Sequence, residues 1–277
     1  MNRALKSAFF RFFRTKLFIM VLIISVLIGA GIILDTGVLY ITSDIFSRPR
    51  VIANDFLFYC ILKQSVVIPV AAAVFCTKFT GTDISHRSIN NKISTGMKRT
   101  HIFFADYIVT MTAVFMSIVI NLLMFYAFAR YLPLRSYIKI NSQILGIVLQ
   151  SILVCIAYVS LYLLVQYFVS TKLLALILSL LLMPAVYMGT FSLESILDQP
   201  YRKSVKNEQT EETVWEINPY YVGGAARDVI DYVYRSSVFY ELETENVESD
   251  KASVVSGVVI VLSSAAGLVA INKKEYS

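Results

Sequence analysis

Apolar positions fall into six long runs separated by polar segments, at residues 17–34, 56–76, 102–129, 144–169, 173–191 and 254–271. A helix rises ~1.5 Å per residue, so about 20 residues cross the hydrocarbon layer. Each run therefore predicts a membrane-spanning helix, and the third is long enough to tilt or project. Polar residues 35–55, 130–143 and 170–172 read as connections, and Pro49 and Pro133 fall in the first two. The predicted fold class is an all-α integral membrane protein of six spans. It forms one domain over residues 1–277.

Three further segments carry their own patterns. In residues 1–16, Leu5, Phe9, Phe12 and Phe13 share one helical face, with Arg3, Arg11 and Arg14 opposite. That is the pattern of an interfacial helix lying on a membrane. The following apolar run has 18 residues and no clear A-x-A site after it, so an uncleaved first span is expected rather than a signal peptide. Residues 192–253 are polar and contain the only tryptophan, Trp215. There Asn218-Pro219 suits a helix start. Val222, Ala226, Val229 and Val233 recur at helical spacing, which predicts one or two amphipathic helices over the outer mouth of the bundle.

The third segment, residues 79–99, is polar and basic between two spans. Asp83 suits an N-cap, where a carboxylate accepts the first unpaired N–H groups. Gly96 suits the stop, because glycine takes the left-handed conformation cheaply. Ile89, Ile93 and Met97 share one face, with Arg87, Asn91 and Lys98 opposite. The expectation is a single short amphipathic helix over residues 83–96, held at the membrane surface.

Composition agrees with the pattern. The chain is 57% hydrophobic and 16% charged, where soluble domains sit near half apolar and a quarter charged. The net charge of +6 is uneven, since residues 192–253 carry thirteen acidic and six basic residues. With the N-terminus inside, the cytoplasmic segments hold thirteen Lys/Arg and the two short outer loops hold five. This bias orients the chain with both termini cytoplasmic. In a membrane protein a basic balance speaks for orientation, not for nucleic acid.

The chemistry readable in the chain is sparse. Cys60, Cys76 and Cys155 lie in or beside apolar runs without a C-x-x-C or a neighbouring histidine, as small buried residues do. His86 and His101 flank the polar segment and read as solvated. No P-loop and no H-E-x-x-H occurs, so no metal site and no catalytic residue is expected in this chain. Polar residues inside spans are Lys63, Gln64, Asn121, Gln150 and Gln166. Of these, Lys63, Gln64, Asn121 and Gln150 are candidates for a polar substrate path, against snorkelling for the lysine and interhelical bonding for the amides. Pro69 and Pro184 are expected to kink their spans.

The segment carrying Asp83, then Arg87-Ser88-Ile89, Asn91, Ile93 and Gly96 before Lys98-Arg99-Thr100 resembles the cytoplasmic loop of type-2 ABC-exporter permeases. Arg87 stands where that family usually has glycine. The layout is similar too: a basic interfacial helix, a loop after the second span and an outer insertion before the last. The resemblance implies a coupling helix that docks on an ATPase subunit through Asp83, Arg87, Ile89, Asn91, Lys92, Ile93, Gly96 and Met97. It further implies a second permease, either a homodimer or a sister chain, in a bacterial plasma membrane. ATP and Mg would be held by the partner ATPase and no cofactor by this chain. Similar permeases export peptides such as bacteriocins and other amphiphiles. The alternative is a non-transporting sensor, receptor or scaffold that works through residues 192–253.

Overall fold

The computed structural model describes all residues except 43–48, 86–87, 132–141, 170, 207–212, 245–248 and 274–277. The described chain is almost entirely helical. Among these residues, six helices are long and apolar enough to cross a membrane, which fits a multi-pass membrane protein by length and composition. They are α2 (Lys16–Thr42), α3 (Pro49–Cys76), α6 (Arg99–Tyr131), α7 (Ser142–Phe168), α8 (Lys172–Leu197) and α11 (Ser249–Lys273). Preceding them is α1 (Asn2–Arg14).

Helix boundaries overrun the apolar runs. The polar connection expected over residues 35–55 is largely helical where it is described, because α2 runs on through Asp35 to Thr42 and α3 begins at Pro49. A helix satisfies its own backbone whatever its side chains, and proline is suited to the first helical position. Likewise α8 continues six residues past the expected end at 191. Pro69 and Pro184 both lie inside continuous helices.

Helix α7 is the centre of the bundle, packed along α3 and α11, while α6 packs on α2 and α3. Between apolar helices in lipid there is little hydrophobic drive, so close backbone approach and polar bonds hold the interfaces. The α7–α11 seam follows that rule. The hydroxyls of Ser160 and Ser263 are 2.7 Å apart. On the neighbouring α6 side, a Cβ on Gly267 would lie 2.8 Å from Phe103 Cε2, so a larger residue there requires that ring or α11 to shift. At the far end of the seam Arg99 donates to the carbonyls of Ile271 and Asn272, at 3.2 and 2.9 Å. It thereby caps the last turn of α11 with a cation.

Two groups of short elements mark opposite ends of the bundle. At one end α3 passes through a π-helical turn (Thr77–Gly81) into α4 (Thr82–Ser85) and α5 (Ser88–Ser94). At the other, α8 is followed by an antiparallel hairpin of β1 (Arg202–Lys206) and β2 (Thr213–Ile217). Helices α9 (Ala225–Arg235) and α10 (Val238–Thr244) come next. The helical spacing of Ala226, Val229 and Val233 is α9, but that helix starts at Ala225 after Gly224 and not at Asn218-Pro219, which lies at the hairpin base; α10 and the hairpin carry no such signal.

Candidate functional site

The polar segment is not the single helix expected over 83–96. It is two short pieces, α4 and α5, and Arg87 and His86 lie outside the described residues. Asp83 falls inside α4 and is buried, so it does not act as an exposed N-cap. Its carboxylate accepts from Arg11 of α1, from Lys92 Nζ at 2.6 Å and from Ser88 Oγ at 3.0 Å. A second carboxylate, Asp106 of α6, is buried behind it. Asp106 accepts from the Tyr167 hydroxyl of α7 at 2.6 Å and lies 3.8 Å from Arg11 Nη2.

The result is a buried cluster of two cations and two anions that joins α1, α4, α5, α6 and α7. Isolated buried charges are costly, and such groups persist when paired and hydrogen-bonded. Arg11 completes the arrangement by lying 4.0 Å over the Phe79 ring, within reach of a cation–π attraction. Phe79 sits in the π-helical turn and stacks on Phe75. That turn is tight against α7: Gln166 donates to Thr77 Oγ1 at 2.8 Å, and a Cβ on Gly81 would lie 2.6 Å from Gln166 Oε1. Wide turns of this kind recur at functional sites.

The cluster corrects the expected faces. Arg11 was placed on the outward face of the first helix; it points inward and anchors that helix. Ile89 is fully buried, and Ile93 and Met97 pack against the core, so the apolar face of α5 is occupied by its own bundle. Lys92 is turned in toward Asp83. What α5 and its exit present outward is a polar edge of Asn91, Ser94, Thr95, Gly96 and Lys98. Gly96 ends the helix as expected, at φ 85°. Its N–H bonds the Ile93 carbonyl and the Met97 N–H bonds the Lys92 carbonyl. This is a Schellman closure, which holds the exposed edge in one conformation.

The intramembrane candidates divide into two places. Lys63 bonds Asp35 at 2.7 Å and Thr36 at 3.2 Å, and so ties α3 to α2. Asn121 also faces α2, where its amide is packed against Gly29. Gln64 and Gln150 instead meet α7 and α10. Gln64 donates to Ser151 at 3.4 Å, and Gln150 donates to the buried carboxylate of Glu241. Thus the four do not line one route, but Gln64 and Gln150 share a wall.

A partly open apolar cavity of about 300 Å³ lies between α3, α7, α8 and α11, with α9 and α10 contributing to its lining. Ser65, Tyr158, Met183, Thr190, Val233 and Phe239 are among its lining. The three cysteines are buried and unbridged, and no cluster able to hold a metal occurs among the described residues.

Arg11, Asp106 and Glu241 are the site residues that sequence reading missed. Asp106 carried a signal, as a carboxylate near the start of an apolar run. Arg11 is one of three arginines on α1, and the sequence does not distinguish it. Comparison of the chain with family models, with curated proteins and with solved structures returned no significant match.

Proposed function

We propose that the chain is the permease subunit of an ABC-type exporter, which couples ATP hydrolysis by separate ATPase subunits to the export of an amphiphile such as a peptide. The observation that carries this reading is α5. It is a short helix between two spans, clamped from beneath by the Arg11–Asp83–Lys92–Asp106 cluster, with a rigid polar edge turned outward. A partner that pushes on that edge moves α1, α6 and α7 together, because the cluster ties them to it. In this reading α5 is the coupling helix, α1 the interfacial helix, and both chain ends are cytoplasmic. A second permease chain completes the pathway.

At the opposite end, the cavity bounded by α8, α9 and α10 supplies an apolar compartment with a hydroxyl-bearing rim. That suits a molecule with an apolar body and polar groups. Gln64 and Gln150 tie α7 to α3 and α10, whereas Lys63 and Asn121 serve helix packing.

The test is affinity purification of the tagged chain in mild detergent, with co-purifying chains identified by mass spectrometry. A stoichiometric P-loop ATPase is expected. Its loss on Asn91→Glu with Lys98→Glu, in a chain that remains folded, supports docking at this edge. A folded chain that purifies alone, or one whose ATPase survives both substitutions, overturns the assignment of the edge. Ile89 and Ile93 are unsuitable test positions, because polar residues there disrupt the chain's own core.

A further inference from the structure

The end of the bundle that carries α9 has an exposed apolar surface where a solvated domain would be polar. Helix α9 has no buried residue. Its half-buried side chains, Arg227, Ile230, Asp231, Tyr234 and Arg235, face the protein. Its exposed apolar residues are Tyr232, Val229 and Val233, with Val229 63% exposed. Asp228 borders Val229, and Asp231 and Arg235 form an ion pair of 2.8 Å on the polar side. The helix is therefore amphipathic: Val229 is its most exposed apolar residue, the Tyr232 ring has Lys251 Nζ of α11 at 5.8 Å, and Val233 also lines the cavity.

Its depth is fixed by contacts. Arg227 donates to the Leu197 carbonyl at 2.5 Å and so pins the start of α9 to the end of α8. Val233 lines the same cavity as Gly189 and Leu193 of α8 and Val255 and Val259 of α11. The 26 residues of α8 make about 39 Å of helix at ~1.5 Å per residue, against about 30 Å of hydrocarbon. Measured from Lys172, the hydrocarbon boundary falls close to Phe191–Leu193. Val233 thus sits at that boundary, beside exposed Met188 and Phe191 of α8 and Val254 and Val258 of α11.

The hairpin base follows the end of α8, just beyond Leu197. Asn218 clamps it, with its N–H on the Tyr201 carbonyl at 3.1 Å and its amide on Gln199 Oε1 and the Pro200 carbonyl. Around it Tyr201, Trp215, Ile217 and Tyr220 are all more than half exposed. Tyrosine and tryptophan gather at the headgroup level of bilayers, where one end of the ring is apolar and the other wet.

We propose that the open face of α9 and the aromatic base of the hairpin form a lipid-binding surface, seated in the headgroup–acyl boundary of the leaflet at this end. The occupant is phospholipid, because Val229 and Val233 continue the outward apolar faces of α8 and α11, and Val233 lies at their boundary depth. The surface anchors the roof of the cavity in the leaflet instead of leaving it as a domain in water. This inference rests on the membrane-spanning fold and not on the exporter reading.

Trp215 is the sole tryptophan, so the test needs no substitution. The full chain is reconstituted into phosphatidylcholine vesicles containing nitroxide lipids labelled near the headgroup or deep in the acyl chain. Shallow probes are expected to quench Trp215 emission about twofold, with deep probes and aqueous iodide much weaker. Strong iodide quenching without lipid quenching overturns the proposal. A second measurement separates the two faces of α9. Single cysteines at Val229→Cys and Asp228→Cys are both exposed in the protein alone, and the native thiols are buried. In vesicles an impermeant maleimide is expected to label Asp228→Cys at least about tenfold faster, because lipid covers the neighbouring position. Equal rates refute the seating of α9, whatever the tryptophan shows.

Discussion

Replacing Asp83 by Asn tests whether the buried cluster holds α5 to the bundle. Asp83 accepts three side-chain hydrogen bonds, two of them from cations. Hydrogen bonds to charged groups are worth about 1.5–3 kcal/mol each, and breaking a fully buried ion pair costs about 3–5 kcal/mol. The Arg11 and Lys92 side chains retain 28% and 21% exposure, so each recovers part of its loss by reaching water. The expected net destabilisation is therefore about 2–3 kcal/mol. For a chain of this size that corresponds to a fall of about 3–5 °C in unfolding temperature. The three buried thiols make the assay simple: a fluorogenic thiol reagent reports unfolding as Cys60, Cys76 and Cys155 become reactive. A double-mutant cycle with Arg11→Gln isolates the pair. The two changes together are expected to cost less than their sum by about 1.5–3 kcal/mol. Additivity within about 0.5 kcal/mol refutes the clamp.

Three other outcomes follow from named contacts. Gly96→Ala meets no atom within 4 Å, so its cost is purely that of a positive φ, about 1 kcal/mol. Faster amide exchange over residues 93–98, with the rest of the chain unchanged, checks it. Gly267→Val forces the Phe103 ring or α11 to shift and is expected to cost about 1–3 kcal/mol. The same thiol assay reads this loss, and Ser160→Ala, which removes only a hydroxyl contact, is expected to cost less. Glu241→Leu strands the buried Gln150 amide and is expected to lower stability by about 1–3 kcal/mol. Adding Gln150→Leu restores most of that loss, and a double variant no better than Glu241→Leu contradicts the pairing.

The spans were legible because lipid leaves the chain no alternative. Each apolar run of suitable length must satisfy its backbone internally, so existence and order followed from hydropathy alone. Their ends were not legible, since Asp35 and Pro49 are as compatible with a helix as with a loop. The hairpin escaped notice because Arg202–Lys206 is a short strand of mostly polar residues with no alternating apolar face.

The facing of α5 failed for a different reason. A helical wheel separates an apolar from a polar face, but it does not say which one meets a partner. Ile89 and Ile93 were correctly grouped and face the chain's own core. Asp83 looked like a cap because its partner Arg11 is 72 residues away in sequence. Ion pairs between distant elements leave no local pattern. Gly96, whose role depends only on its own backbone, was read correctly.

The proposed coupling to an ATPase is tested by vanadate-sensitive ATP hydrolysis of the purified membrane assembly in nanodiscs. Hydrolysis is expected to be retained in a conservative Asn91→Gln variant and abolished, with the chain still folded, when Asn91 and Lys98 both become Glu. An assembly that hydrolyses no ATP, or whose hydrolysis is unchanged by charge reversal along the α5 edge, would contradict that coupling.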